Sequence, residues 1–575
     1  MSDSLAQLTR ENLQHLEWRD RFRDELRLEP AAHWPFLLPC QARLLLVVDG
    51  LDFSEGDFGL STFVRTLLDT RGRHVRFAIT LAHLGDAVPS QMMPGDTRIA
   101  RRITSFKFDD RAHFGTGMYD VVWLFGIATG FSRDAGYPSD RLSDGELRAL
   151  VRFMNAGGGL FATGDHGRLG RALCHAVPRA RGMRRWDSTS AQDASDHVAM
   201  LGPWRNDTNR PQGGESFFND QSDDVPQVIH PKLYERGSGL FRSTFPHPLL
   251  CGPHGVIRVM PDHPHEGECL VPSRVDAALD DGGAEYPAAI DGGARPLPEI
   301  IATSNVLAGT CSGKKQRTHA QSFGGICAYD GHRAGVGRVV TDATWHHFVN
   351  VNLVGLFNDD EVPPGHPWRR GFLSSASGQA HFEQIKAYYR NLGLWLLRPE
   401  RIACINSRLQ WSIVWDERVL EAVLVAADIK LDRIEPHVLG WIGRHARDVL
   451  GRYAGQCQGL RIVLDLIIPR WPKLVPGIDP WWDGPRPLDD GLDGLPWVDA
   501  SPLLDVALGA ALVALREAFP DPASIRGVDI EGDKLQQVLI DGASRGVERA
   551  AESLAKAPAQ IQALLDLLAR GDQAG

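Results

Sequence analysis

Short apolar segments alternate with helical patterns through the first third of this chain, and this alternation restricts the fold more than any other feature. The apolar segments are short enough to be strands that are buried on both faces of a sheet. They lie at 44–48, 75–81, 119–127 and 160–163, with helical patterns at 58–68, at 142–155 and from about 169. Strands that alternate with helices typically form a parallel sheet with helices packed on its faces. The alternation therefore predicts a doubly wound parallel sheet.

The helix predicted at 142–155 has its own start and stop signals. Ser143 is followed three residues later by Glu146, which is the capping-box pattern of a helix N-terminus. Three glycines at 157–159 end the pattern, as glycine commonly does after the last turn of a helix. The next apolar segment begins immediately afterwards, so helix and strand are joined by a tight connection.

The rest of the chain divides into segments of different character. We expect a helical segment at 1–41, an α/β domain at 42–400 with an irregular insertion at about 178–250, and a mainly helical domain at 401–575. The insertion is rich in Gly, Asp, Arg and Pro and poor in apolar runs. Later strands are predicted at 255–260, 299–306, 322–329 and 338–341, and later helices at 382–397, 416–428, 434–453, 502–518 and 544–570.

Charge and composition exclude several classes of protein. The 62 Lys and Arg residues are outnumbered by 72 Asp and Glu, and the net charge of −10 disfavours nonspecific binding to nucleic acid. No segment reaches the roughly 20 apolar residues of a membrane span, and the charged N-terminus lacks the apolar core of a signal peptide. The eight cysteines contain no CxxC pair, so we expect neither a disulfide framework nor a cysteine zinc site. The sequence predicts a cytoplasmic protein with no membrane partner.

Polar side chains collect where the predicted strands end, which is where open α/β sheets bind their ligands. Asp49 follows the first strand, and Asp165 and His166 follow the fourth in a turn flanked by glycines. His346 and His347 come after the strand at 338–341. Successive side chains of a strand point to opposite faces, so these two histidines cannot both point into one site.

A further polar cluster, containing His263, His265 and Glu266, follows the strand at 255–260. Three interpretations stay open for the strand-end residues. The first is a divalent metal, zinc or manganese, which needs three ligands and an open position for water. Its candidate ligands are His166, His263, His265, His346 and Asp49.

The second interpretation is acid–base catalysis without a metal, for which the side chains must lie within hydrogen-bond reach of a substrate. The candidate catalytic residues are Asp165, His166, His346 and Glu266. The third interpretation is structural: the glycine turn shapes the backbone, and the histidines are hydrogen-bonded parts of the scaffold.

Four segments resemble the class I glutamine amidotransferase-like superfamily and, within it, the ThuA-like (trehalose-utilisation) branch. They are YDVVWLFG at 119–126, LSDGELRALVRFMNAGGGLFATGDHG at 142–167, GVGRVVTDATWHH at 335–347 and FEQIKAYYRNLGLWLL at 382–397. The resemblance covers roughly residues 42–400 and implies a flavodoxin-like fold. It also implies that the turn at 164–167 is the catalytic elbow and that a later strand ends at a histidine.

The chain departs from the glutaminases at this elbow. Those enzymes need a cysteine there, because the thiolate is the attacking species. Here the elbow reads Gly-Asp-His-Gly, which places His166 at the nucleophile position and leaves Cys174 two turns further along. We therefore do not expect a cysteine-dependent glutaminase. ThuA-like proteins also lack that cysteine, and for them the resemblance implies only a sugar-linked activity or an undefined one.

Two hypotheses of different classes follow. The first is a hydrolase for a small polar substrate, an amide or a sugar derivative, with Asp49 orienting one of the histidines. The alternative is a catalytically silent scaffold or sensor that binds a protein partner through its helical C-terminal domain. The helix predicted at 502–518 is apolar around most of its circumference, so it either belongs to a core or seals a homo-oligomer.

Overall fold

The structure is a computed structural model that describes a defined set of residues. These are 39–70, 74–132, 138–165, 167–186, 223–238, 241–253, 255–261, 267–280, 283–306, 321–355, 367–415, 419, 423, 430–454, 456–472, 478–479, 481, 498–519 and 532–571. The chain forms two compact units. The α/β unit comprises Cys40–Leu233 and Pro246–Ile405, and the helical unit comprises Met1–Pro39, Tyr234–Phe245 and Asn406–Gly575. The predicted helix near the N-terminus lies outside the described residues.

The described strands include most of those that the apolar runs predicted, together with several that they did not. Their bounds are β1 Cys40–Val48, β2 Val75–His83, β3 Arg101–Ile103, β4 Val121–Phe125, β5 Gly159–Thr163, β6 Gln227–Pro231, β7 Leu233–Ser238, β8 Phe241–Pro246, β9 Cys251–Gly252, β10 Gly255–Val256, β11 Val259–Met260, β12 Glu299–Val306, β13 Gln321–Tyr329, β14 Val339–Asp342 and β15 Val498–Asp499. The region predicted as one strand at 255–260 is divided between two short strands, β10 and β11.

One large mixed sheet dominates the α/β unit, with the strand order β11-β6-β12-β13-β14-β5-β4-β1-β2-β3. The six strands from β14 to β3 are parallel. At the other end, β13, β12, β6 and β11 pair in antiparallel fashion. The prediction of a flavodoxin-like α/β fold with an insertion is therefore confirmed, although the sheet is mixed. Part of the insertion, predicted as irregular, forms strand β6 of this sheet.

Helices cover both faces of the sheet and form most of the C-terminal region. Their bounds are α1 Ser61–Leu68, α2 Asp144–Asn155, α3 Arg171–Cys174, α4 Asn350–Val354, α5 Ala376–Trp395, α6 Pro399–Trp415, α7 Pro436–Ala454, α8 Gln456–Ile467, α9 Ser501–Ala518 and α10 Gly532–Gly571. The predicted mainly helical region after the sheet is confirmed. The helix predicted from about 169 is only the single turn α3, and most of the helix predicted at 416–428 lies outside the described residues.

The alternating side chains of the strands explain this two-sided packing. Leu45 of β1 belongs to a core with Phe153 of α2. On the opposite face, Phe63 of α1 stacks on Trp123 of β4 at 5.1 Å and meets Tyr389 of α5 edge-on at 5.0 Å. Because both faces of the sheet are buried, its strands need apolar residues on both sides, and the segments 44–48 and 121–125 are apolar at every position.

Local capping signals form as the sequence predicts. The Ser143 hydroxyl oxygen accepts a hydrogen bond from the Glu146 N–H at 3.2 Å, and the Glu146 carboxylate accepts one from the Ser143 N–H at 3.0 Å. This reciprocal pair satisfies two of the N–H groups that the start of α2 leaves without helical partners. The capping box at the N-terminus of α2 is therefore confirmed.

The structure contains a disulfide that the sequence did not predict. Cys40, the first residue of β1, forms a disulfide with Cys404 of α6, although their spacing gave no sign of a pair. The prediction of no disulfide framework is wrong at this point, because residues 364 positions apart in sequence are brought together only by the fold. Disulfides are typical of oxidising compartments, so cysteine usage no longer supports the cytoplasmic assignment. None of the described helices combines the length and the hydropathy of a membrane-spanning segment.

Small residues allow the helices of the helical unit to pack closely. A Cβ atom on Gly443 of α7 would lie 1.7 Å from the Asp505 carbonyl oxygen of α9, and one on Gly509 would lie 2.0 Å from the Leu439 carbonyl oxygen. Gly546 of α10 is also restricted by α9, where a Cβ would lie 2.7 Å from the Ala510 side chain. A larger side chain at any of these positions would force the helices apart.

Candidate functional site

The candidate site lies where two neighbouring parallel strands end. β5 and β14 pair in register, with Thr163 opposite Asp342 at their carboxyl ends. Beyond these residues the chains stay connected, because the Trp345 N–H donates to the Gly164 carbonyl at 2.8 Å. The residues that follow β5 and β14 are therefore held next to each other, as the strand-end argument predicts for this pair of strands.

Asp165 and His346 face each other at this junction. The His346 Nε2 atom lies 3.7 Å from the Asp165 Oδ2 atom, and the two side chains are only 3% and 1% exposed. The Thr344 hydroxyl donates to Asp165 Oδ1 at 2.9 Å and accepts from the His346 N–H at 3.0 Å. One threonine thus contacts both members of the pair and limits their relative movement.

The other ring nitrogen of His346, Nδ1, has its own partner, and this partner indicates which nitrogen of the imidazole is protonated. Nδ1 lies 2.8 Å from the Asn352 side-chain oxygen, which can only accept, so Nδ1 carries the proton and donates. The Nε2 atom is then the nitrogen that gains or loses a proton. It faces the Asp165 carboxylate at a distance beyond a direct hydrogen bond.

A second Asp–His pair stands beside the first. His347 Nδ1 lies 2.7 Å from Asp342 Oδ1, and the Tyr388 hydroxyl donates to Asp342 Oδ2 at 2.8 Å. All three side chains are buried, and burial raises the pKa of Tyr388 well above its usual value, so the phenol stays protonated. His346 and His347 therefore have different carboxylate partners.

Arg184 connects the ends of the two strands. Its guanidinium donates to the carbonyl oxygens of Asp342 at 3.0 Å, Ala343 at 2.7 Å, Asp165 at 2.7 Å and Arg185 at 2.9 Å. The run of arginines at 179–185, which includes Arg184, predicts a solvated face or a grip for a phosphate or carboxylate. The structure corrects this for Arg184, which is 2% exposed, because backbone carbonyls replace water around it. Burial lowers the pKa of the Arg184 guanidinium.

Asp49 lies at the end of β1, two strands away from β5 in the sheet. Its Oδ1 atom accepts hydrogen bonds from the N–H groups of Ile127 at 2.6 Å and Ala128 at 3.2 Å. These bonds fix the backbone that leaves β4. The proposed role of Asp49 in orienting a histidine stays a prediction.

Glycines allow the backbone segments of the elbow after β5 to lie very close together. Gly170 has φ of +88°, and a Cβ atom there would lie 2.7 Å from the Gly164 Cα and 2.8 Å from the Gly126 carbonyl oxygen. Cys174 lies one turn further on, fully buried, with Sγ 3.7 Å from the Thr163 carbonyl oxygen. Burial raises the pKa of this thiol well above its usual value, which keeps it protonated and unreactive.

Four predicted site residues, His166, His263, His265 and Glu266, lie outside the described residues. Within the described part of the chain, no group of three or more His, Cys, Asp or Glu side chains is placed to hold a metal ion. The zinc or manganese site stays a prediction, since three of its five candidate ligands are not described.

Aromatic rings pack against His346, one member of the Asp165–His346 pair. Trp345 stacks on His346 with ring centres 4.0 Å apart, and Phe58 meets the His346 ring edge-on at 5.9 Å. Phe58 is 47% exposed, so the imidazole lies one side chain away from solvent. The sequence pattern did not point to Phe58, Thr344 or Asn352 as site residues. Thr344 had a detectable signal, since it lies between a strand end and a histidine, whereas Phe58 reaches the site only through the fold.

Comparison with known proteins adds little to this description. No family model matches the chain, and no curated protein matches it. A crystal structure of a ThuA-like protein from Parabacteroides merdae aligns with 61% of this chain and 88% of its own at 12% sequence identity, with a TM-score of 0.19. A similarity at this TM-score supports no conclusion about fold or function.

Proposed function

We propose that the α/β unit is a hydrolase for a small polar substrate, an amide or a sugar derivative, and that Asp165 and His346 are its acid–base pair. The observation that carries this proposal is the buried pair at 3.7 Å, formed between neighbouring strand ends. Buried ionisable groups that face one another are costly for a scaffold, and they are common where proton transfer is needed.

The geometry suggests a division of roles. Since Nδ1 of His346 donates to Asn352, Nε2 can carry the exchangeable proton, and Asp165 Oδ2 can accept one. In the proposed reaction, the Asp165 carboxylate removes a proton from water as its oxygen attacks the substrate carbon. The imidazolium Nε2–H then protonates the departing nitrogen or oxygen as its bond to carbon breaks. Transfer of the proton from Asp165 back to His346 restores both groups.

The four segments that carry the ThuA-like resemblance include the strands and helices around the site. The segment at 119–126 contains β4, and 142–167 contains α2, β5 and the start of the elbow. The segment at 335–347 contains β14 and His346, and 382–397 covers most of α5. We therefore propose a ThuA-like relationship for this unit, resting on these four segments and not on the structural comparison.

The test uses p-nitrophenyl esters, p-nitroanilides and p-nitrophenyl glycosides with four proteins. They are the wild type, Asp165→Asn, His346→Gln and, as control, Glu383→Gln on the exposed side of α5. We expect wild type and control to cleave one class of bond, and each site variant to lose about 10²–10⁴-fold in rate, the usual contribution of a positioned acid or base. Circular dichroism melts establish that all four are folded.

Activity that persists in folded site variants would refute the assignment of the pair. No cleavage by the wild type in any of the three classes would instead favour the silent scaffold. Metal content, measured by elemental analysis on the wild type and His346→Gln, tests the metal prediction independently. Zinc or manganese present in the wild type and absent from the variant would support it.

A further inference from the structure

The helical unit contains a cleft of about 430 Å³ between α7, α9 and α10. Its walls are mostly apolar, and they include Pro436, Pro502, Leu503, Val506 and Leu554. This volume lies within the roughly 300–1,000 Å³ of small-molecule sites, which are typically apolar with a few placed polar groups. The cleft therefore has the size and lining of a ligand site.

One face of α7 supplies the groups that could recognise a ligand. His437, Trp441 and Arg444 line the cleft and are spaced four and three residues apart, so they lie on the same side of the helix. Trp441 is 55% exposed, which is unusual for so large an apolar ring. An exposed indole on the wall of a cleft can stack against a flat apolar group.

The charges beside Trp441 favour a negatively charged group. Asp505 of α9 is 1% exposed, and Arg447 holds it closely, with Nε 2.9 Å from Oδ1 and Nη2 3.2 Å from Oδ2. Arg444 approaches the same carboxylate only through Nε at 3.4 Å and is 64% exposed. Two guanidinium groups thus share one carboxylate, and Arg444 keeps donors on the solvent side.

Asp499, the other acidic residue that lines the cleft, does not cancel the excess of positive charge from the two arginines. Asp499 Oδ1 accepts a hydrogen bond from the Ser501 N–H at 2.8 Å, at the start of α9. The positive end of that helix offsets the charge of a carboxylate placed there. The exposed side of Arg444 is then the favoured position for an anion.

We propose that this cleft binds a small amphipathic anion, with a flat apolar body against Trp441 and a carboxylate or sulfonate on Arg444. The site belongs to the helical unit and does not depend on the proposed hydrolase.

Two fluorescent probes test the proposal on the full chain. 1-Anilinonaphthalene-8-sulfonate has the flat apolar body and the anion, and N-phenyl-1-naphthylamine has the same rings without the sulfonate. We expect one saturable site per chain for the sulfonate. Arg444→Gln should weaken the sulfonate at least tenfold and change the neutral probe less than twofold, and Trp441→Ala should weaken both.

The control is Arg470→Gln, since Arg470 is also an exposed arginine of this unit that pairs with an aspartate, Asp541 at 3.2 Å, and does not line the cleft. It should leave both affinities unchanged. Equal losses for both probes in Arg444→Gln would refute anion recognition, and saturable binding that ignores Trp441→Ala would place the probe elsewhere. Sedimentation gives a further check, because a dimer that Trp441→Ala dissociates would mean that a second copy covers the cleft.

Discussion

Two neighbouring tyrosines of α5 donate hydrogen bonds to acceptors of different charge. The Tyr388 hydroxyl donates to Asp342 Oδ2, and the Tyr389 hydroxyl donates to the His347 carbonyl oxygen. Both rings are 0% exposed. Replacing either with phenylalanine removes one oxygen and leaves the ring, so the change in stability measures chiefly the hydrogen bond.

The structure sets the expected sizes. The other hydrogen bonds to the Asp342 carboxylate, from His347 Nδ1 and the Thr344 N–H, both go to Oδ1. Tyr388→Phe therefore removes the hydrogen bond that the buried, charged Asp342 carboxylate accepts at Oδ2. The loss should lower the free energy of unfolding by about 3 kcal/mol, near the upper end for hydrogen bonds to charged groups. Tyr389→Phe removes a bond to a neutral carbonyl and should cost about 1 kcal/mol.

Hydrogen–deuterium exchange of peptides that cover β14 and α5 measures these costs locally. For amides that exchange through opening of this region, Tyr388→Phe should speed exchange about 100-fold and Tyr389→Phe about fivefold, since about 1.4 kcal/mol is a factor of ten. In an Asp342→Asn background the acceptor is neutral, and the cost of Tyr388→Phe should fall to about 1 kcal/mol. Equal costs for the two tyrosines, or an unchanged cost in that background, would refute the reasoning.

Three further perturbations have defined outcomes. Ser143→Ala removes the cap of α2 and should cost about 1 kcal/mol, seen as faster exchange in 144–155. Burial lowers the pKa of His74 to about 4, so between about pH 6.5 and pH 4 the unfolded chain gains a proton that the folded chain does not. The free energy of unfolding should therefore fall as the pH drops through this range. Urea unfolding at pH 7 and pH 5 should show this loss, and His74→Leu should reduce it. Gly170→Ala should destabilise the elbow, because it combines a positive φ with a Cβ 2.7 Å from Gly164, and a lower melting temperature would show it.

The parallel part of the sheet was predictable because its signals are local. Strands β1, β2, β4 and β5 each contain a mostly apolar run, and the capping box marks the start of α2 within four residues. β6 gave no such signal, because it is short and includes His230 and Pro231. It is a strand because β12 pairs with it, and a partner so distant in sequence leaves no local pattern.

The candidate site was predictable only in part, for a related reason. Asp165 and His346 could be named because residues that follow parallel strands share one edge of the sheet. Asn352 could not, because its contact with His346 depends on how the chain turns into α4 after the strand. Arg184 was misjudged because its neighbours in sequence are arginines, whereas its neighbours in space are carbonyl oxygens.

The aspartates at the two strand ends also lower the cost of burying Arg184. A guanidinium without solvent is costly unless negative charge lies near it, and Asp165 and Asp342, whose carbonyls it binds, supply that charge. Nη2 of Arg184 joins the carbonyls that flank the site, on Asp165 and Ala343, at 2.7 Å each. Lysine could not reproduce this planar set of donors. The separation of Asp165 and His346 therefore depends on a residue outside both strands, and Arg184→Lys should disturb it even though the charge is kept.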